Sequence, residues 1–278
     1  MTDTFDRTEI TTLLSEQFDA LAALVDGLDE DRWRTPSPLP GWTVFDVLSH
    51  VIGTESLLLG DKPPARDAQA PDIDVQTLPH VRNEIGALNE IWVQRLRPRP
   101  GTELLDLYRE VTDRRRAALA AMDDASWTAP SPSPIGEVPY ARFMRVRLFD
   151  CWMHELDIAD VLGSEVDEGG ARGELAFAEF AYSLPRVVAK RGKAPAGSLI
   201  TLELTGPLAR TLHIEVADRA GYVDTPAGEP TVTLGLDSGL LVRLGGGRVD
   251  AEAALDRITF RGDAELGRRV VRNLAFTI

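Results

Sequence analysis

The sequence predicts an α-helical bundle followed by a small α+β domain with an antiparallel sheet. Three observations carry that reading. Apolar residues recur at three-and-four spacing through the first half of the chain, which is the mark of helices that bury one face. Proline-rich runs punctuate these stretches, and proline suppresses helix at and before its own position. After Gly169-Gly170 the pattern changes to short alternating segments that read as half-buried strands. The expected domains are therefore a bundle over residues 1–168 and an α+β domain over 169–278.

The first helix is expected from Thr8 to Leu28, where Ile10, Leu13, Leu14, Phe18, Leu21, Leu24 and Val25 share a face. "TPSPLPG" breaks it, and a second helix is expected from about Thr43 to Leu59, with Thr43 as its cap. "GDKPPARDAQAPDID" reads as a loop, "LPHVRNEIGALNEIWVQRL" as a third helix and "GTELLDLYREVTDRRRAALAAM" as a fourth. A further proline-rich loop precedes a fifth, from Tyr140 to Leu162. There is also an internal echo. "LDEDRWRTPSP" resembles "MDDASWTAPSP", with Trp33, Pro36, Ser37 and Pro38 aligning with Trp127, Pro130, Ser131 and Pro132 at one spacing. A duplicated helix pair forming a pseudo-symmetric bundle accounts for it.

In the second domain a helix through "ELAFAEFAYSL" precedes strands at "SLITLELTG", "TLHIEVAD", "TVTLGLD" and "RITFRGD". Asp237 caps a short helix through "SGLLVRL", "RLGGGR" is a helix-ending turn, and "AELGRRVVRNLAF" is the last helix. "RLGGGR" lacks the G-x-x-x-x-G-K-[ST] pattern of a phosphate loop.

Composition narrows the function classes. The net charge of −14 opposes nucleic-acid binding, which rests on clustered lysine and arginine. No run of about 18 apolar residues exists to span a membrane. "MTDTFDRTEI" has neither the basic start nor the apolar segment of a signal peptide. The single Cys151 has no internal disulfide partner. Together these lead to the expectation of a cytoplasmic protein acting on small molecules, with its oligomeric state open. Arginine fills nearly all basic positions and alanine is abundant, as in a high-GC, actinobacterial genome.

Asp150 and His154 stand four apart in the predicted fifth helix, so both side chains lie on one face. Such a pair can offer a carboxylate oxygen and an imidazole nitrogen to one metal ion, and His50 on the second helix can complete the set. Three protein ligands with an open fourth position are the pattern of a catalytic zinc. From spacing alone such a pair is more often a hydrogen bond or a surface pair than a ligand set. Cys151 points about 100° away from Asp150 on the helix and reads as a small core residue. Glu155 likewise turns off that face, and His80 and His213 have no partner at ligand spacing.

"LPGWTVFDVLSHVIGTE", "HVRNEIGALNEIWV" and "MRVRLFDCWMHELDIADVLG" resemble the mycothiol-dependent maleylpyruvate isomerase family, within the wider DinB-like bundle superfamily. The C-terminal half, ending "RGDAELGRRVVRNLAFTI", is similar to that family's accessory domain, itself like sterol-carrier modules. The resemblance implies a DinB-like up-down bundle whose divalent metal, zinc foremost, is held by His50, Asp150 and His154. It implies mycothiol as cosubstrate and a small electrophile as its target, in isomerisation or S-transfer. Trp42 would line the mouth of the site, and Arg82, Asn83 and Asn89 of the "VRNEIGALNE" segment would contact the thiol. For Trp42 the alternative is packing at the helix entrance, and for Arg82 a place among surface charges. The isomerases proper carry glutamate where this chain has Asp150; the shorter side chain draws a metal toward its helix, weakens the site or marks a subfamily with another metal. Two rival readings stay open: a non-catalytic small-ligand-binding protein, and a metal-dependent hydrolase activating water.

Overall fold

The structure, a computed structural model, describes residues 5–67 and 73–277. The chain divides into two compact units, residues 1–166 and 167–278.

The first unit is built on helices α1 (Arg7–Val25), α2 (Glu30–Trp33), α3 (Val44–Leu58), α4 (Glu84–Leu96), α5 (Gly101–Ala121), α6 (Asp124–Thr128) and α7 (Tyr140–Leu162). A short hairpin, β1 (Pro130–Ser133) and β2 (Gly136–Pro139), precedes α7. The long helices α1, α3, α5 and α7 pack on one another, and α4 lies against α3. Their apolar faces meet in a core of Leu14, Phe18 and Leu21, Phe45 and Leu48, Tyr108, and Leu148 and Trp152, all buried. Helices alone of this kind are marginal in water, so this shared face supplies most of their stability. At Gly53 of α3 a Cβ would sit 2.6 Å from the Trp92 ring, so only glycine lets α4 approach this closely.

The echo in the sequence is an echo in structure. Asp29 and Asp123 cap the short helices α2 and α6 with their side chains, and Trp33 and Trp127 are buried beneath them. Each short helix leads through a β pairing into a long helix: an isolated Pro36–Thr43 bridge before α3, and the β1–β2 hairpin before α7. The packing of α1 on α7 has its counterpart in that of α5 on α3.

Two local readings of the sequence need correcting. The proline-rich stretch before α7 is a hairpin rather than a loop; with two strands only, every strand is an edge, where a missing proline N–H is tolerated. The third predicted helix begins at Glu84, several residues late, because Asn83 is extended and its side chain accepts the Gly86 N–H, capping the helix there. The predicted loop between the second and third helices lies partly outside the described residues.

The second unit opens with α8 (Gly170–Lys190), then β3 (Ser198–Thr205), β4 (Arg210–Val216), β5 (Ala220–Tyr222), β6 (Val232–Asp237), α9 (Ser238–Gly245), α10 (Ala251–Ala254), β7 (Thr259–Gly262) and α11 (Ala264–Arg272). Among the described residues these strands form one sheet in the order β5-β4-β3-β6-β7. Its pairs are antiparallel except β3 with β6, which run parallel. The cause is connectivity: β3, β4 and β5 form a meander on one side, and the chain then returns to the far edge of β3. Asp237 caps α9 by accepting from Gly239 and Leu240, as its position predicts.

Candidate metal centre

The site is assembled from α3 and α7 of the first unit. Thr43 and Asp46 form a capping box at the start of α3, and Arg97 donates to Asp46 Oδ1 at 2.8 Å. The register so fixed turns His50, about two turns on, into the bundle, where it is buried. Its Nε2 lies 3.3 Å from Asp150 Oδ2 on α7. One turn further, His154 Nε2 lies 3.7 Å from Asp150 Oδ1, and the two imidazoles stand edge to face with centroids 5.0 Å apart. One potential ligand atom from each of the three residues lies within 4.8 Å of the others. A tetrahedral zinc with bonds of about 2.1 Å requires its ligand atoms to be about 3.4 Å apart, so the cluster fits such an ion with small adjustments.

The electrostatics suit a cation. Burial lowers the His50 pKa, and the neighbouring Asp150 does not fully restore it, so its imidazole is neutral and able to ligate. Burial acts to raise the Asp150 carboxyl, but Arg147, His154 and His50 outweigh it and hold the group well below the carboxylate range. Asp150 keeps 33% of its side chain exposed while both histidines are buried, so the cluster is open on the aspartate side.

A second layer of residues holds these side chains. His154 Nδ1 is 3.1 Å from Asp157 Oδ2, a buried carboxylate that accepts the Nδ1 proton and leaves Nε2 to face Asp150. Arg147 donates from Nη1 to Asp150 Oδ2 at 2.6 Å and from Nε to Glu55 Oε1 at 2.8 Å. Glu55 Oε2 accepts from Arg115 Nε at 2.7 Å, and Arg115 also donates to the Tyr140 hydroxyl. This buried chain of alternating charges links α3, α5 and α7.

Trp42 lies beside His50, with ring centroids 5.4 Å apart. Its indole N–H donates to Glu90 Oε2 at 2.8 Å, and the fully buried Glu90 also accepts from Gln94 and faces His80 Nε2 at 3.0 Å. His80 in turn covers Gly41, which has φ +80° and room for no Cβ, since one would come 2.7 Å from the His80 ring.

The structure thus brings His50, Asp150, His154 and Trp42 together. Arg82 is exposed, Asn83 is occupied in capping α4, and Asn89 is half-buried on α4. Among the described residues no hydrogen bond or ion pair joins these three to the cluster. Cys151 is buried, and burial pushes its thiol far up, so it stays protonated. Glu155 is buried and accepts from Gln17 at 2.7 Å rather than facing solvent. His213 pairs with Thr201 across β3 and β4. The sequence reading overlooked Asp157, although its i+3 spacing from His154 was there to find. It also overlooked the His80–Glu90 contact, where His80 stands ahead of α4 and folds back on it, and the Glu55–Arg147 link, which joins two helices and leaves no local signal.

Residues 14–159 match the N-terminal domain of mycothiol maleylpyruvate isomerase, and residues 174–269 match the C-terminal domain of the same family. Two uncharacterised proteins from strains of Mycobacterium tuberculosis are each 31% identical over 153 residues, 54% of this chain and 55% of theirs. The chain thus spans about half the length of the curated relatives it matches. The crystal structure of a mycothiol-dependent maleylpyruvate isomerase aligns with a TM-score of 0.56 at 19% identity, over 94% of this chain and 95% of that one. A histidine-to-alanine mutant of that isomerase aligns with a TM-score of 0.56 at 18% identity, over the same shares. At such identities the likeness shows a shared fold, while the two domain matches go further: the chain belongs to the mycothiol maleylpyruvate isomerase family.

Proposed function

We propose that the chain is a metal-dependent enzyme that uses mycothiol as cosubstrate against a small electrophile. The observation that carries this reading is the convergence of His50, Asp150 and His154, open on one side. A divalent ion held there, zinc foremost, would supply the positive charge that keeps a thiol deprotonated at neutral pH. The protein's own residues do the rest. Asp157 fixes the tautomer of His154, Arg147 fixes Asp150, and the Trp42 indole, anchored on Glu90, keeps water from one side of His50.

In the isomerisation this family is named for, sulfur adds to one carbon of an activated double bond while the π electrons move onto the conjugated carbonyl. The new single bond rotates, the electrons return, and the same thiolate leaves, so no thiol is consumed. If the adduct is instead protonated and released, the outcome is S-transfer. Asp150 in place of the isomerases' glutamate leaves the electrophile open, and maleylpyruvate is the first to try. The surrounding contacts of Trp42, Arg82, Asn83 and Asn89 with the thiol belong to the same reading.

The test combines two measurements on the purified protein. Elemental mass spectrometry of wild type, His50→Ala and Asp150→Ala is expected to show near-stoichiometric metal that falls in both variants. Turnover of maleylpyruvate and related unsaturated acids is expected to need mycothiol and to disappear in His154→Ala. Wild type that takes up no metal, even on zinc reloading, would return the chain to ligand binding. Hydrolysis products formed without thiol would make it a hydrolase.

A further inference from the structure

We propose that Arg147 is a positioning residue of this centre: it ties down one oxygen of Asp150, so that the carboxylate offers a bound cation its other oxygen alone. The inference rests on the metal-binding reading of His50, Asp150 and His154.

Arg147 sits one turn before Asp150 on α7 and is buried. Its guanidinium is held at three points: Nε on Glu55 Oε1 at 2.8 Å, Nη1 on Asp150 Oδ2 at 2.6 Å, and Nη2 against Cys151 Sγ at 3.5 Å. Glu55 is held in its turn by buried Arg115 at 2.7 Å. A planar fork pinned in this way cannot swing to follow a carboxylate that rotates toward a metal. Asp150, with its short side chain, cannot move far from the fork either. The oxygen that Arg147 holds is Oδ2, which also lies 3.3 Å from His50 Nε2; the one nearer His154 Nε2 is Oδ1, at 3.7 Å.

The alternative for a free carboxylate is to chelate the ion through both oxygens. That would fill the space a three-ligand site keeps open for its substrate. By occupying Oδ2, Arg147 keeps the protein's contribution to three atoms. Arg115, Glu55, Arg147 and Asp150 alternate in charge, so Glu55 is shared by the two arginines and Asp150 completes the balance.

The test uses full-length apoprotein loaded with cobalt(II), whose visible absorption is intense in four-coordinate sites and weak in higher coordination. Wild type is expected to bind one cobalt with an intense band. Arg147→Gln leaves Glu55 paired with Arg115, and it is expected to keep cobalt and a native circular dichroism spectrum while the band weakens several-fold. Arg147→Lys, which keeps a charged donor, is expected to restore most of the intensity. An Arg147→Gln spectrum and affinity equal to wild type would overturn the proposal. So would a native Arg147→Gln protein that loses cobalt outright, because the freed carboxylate would then not chelate. Should Arg147→Gln fail to fold, zinc-edge X-ray absorption of the wild type decides alone: one aspartate oxygen supports the assignment and two overturn it. Failure of the wild type to bind cobalt at all would instead defeat the metal reading beneath it.

Discussion

His154 and Asp157 lie one turn apart on α7, with the imidazole Nδ1 of the first 3.1 Å from a carboxylate oxygen of the second. Because Asp157 is buried, this contact is a fixed strut rather than a surface pair. Such outer partners raise the basicity of a ligating histidine and set its ring orientation. Replacing Asp157 with alanine is expected to weaken zinc binding about 10- to 100-fold. Asp157→Asn, which keeps an acceptor for the Nδ1 proton, should lose less. Competition with a chromogenic chelator measures both, and equal affinities for Asp157→Ala and wild type would refute the strut.

Glu55 accepts from two arginines in the interior of the first unit. Glu55→Ala would leave Arg115 without its carboxylate and Arg147 with Asp150 alone. Breaking a buried pair by removing one partner costs about 3–5 kcal/mol. Denaturant unfolding followed by far-ultraviolet circular dichroism should show the helical unit's transition shifted by that order. A shift below about 1 kcal/mol would mean that the arginines find other partners.

The metal-free protein should lose stability in two steps as pH falls. The folded-state pKa of His50 lies below its ordinary 6.5, so the unfolded chain takes up this proton first. The loss therefore begins as pH drops through that value and stops growing below the folded pKa. Asp150 is also depressed, from 3.8, so its contribution is intact above that pH and is lost on further acidification. Thermal unfolding of apoprotein between pH 8 and pH 3 tests the order, and His50→Ala should flatten the first step and shrink the second, because His50 is one of the groups that hold Asp150 down.

Gly41→Ala is expected to damage the wall of the site from outside it. The backbone there is left-handed at φ +80°, which costs a residue with a Cβ about 1–2 kcal/mol, and the new methyl would push on the His80 ring. Displaced from Glu90, His80 no longer braces the carboxylate that anchors Trp42. A lower melting temperature with a red-shifted tryptophan emission is the expected result. A stable protein with unchanged emission would show that Trp42 does not depend on this brace.

Much of this was legible in the sequence where the physics is local. Thr43 before an apolar face announces the cap of α3, and three-and-four spacing yields the long helices. Asp150 and His154 share a face by spacing alone; that they meet His50 rests on the family resemblance, since helix pairing leaves no mark in local periodicity. The parallel pairing of β3 with β6 was illegible for the same reason, and so was the meeting of Glu55, Arg115 and Arg147 from three helices. The proline hairpin misled because proline's missing donor matters only inside a wider sheet.

The repeated half has an ancestral implication. The β pairing before α7 is two residues longer than that before α3, so with Thr43 matched to Pro139 the counterpart of His50 is Val146, and those of Asp150 and His154 are Thr54 and Leu58. The first copy therefore carries a lone histidine and the second an aspartate–histidine pair, and neither half holds the full set. Whatever the cluster binds is a property of the fused pair, so divergence between the copies, and not the doubling itself, created it.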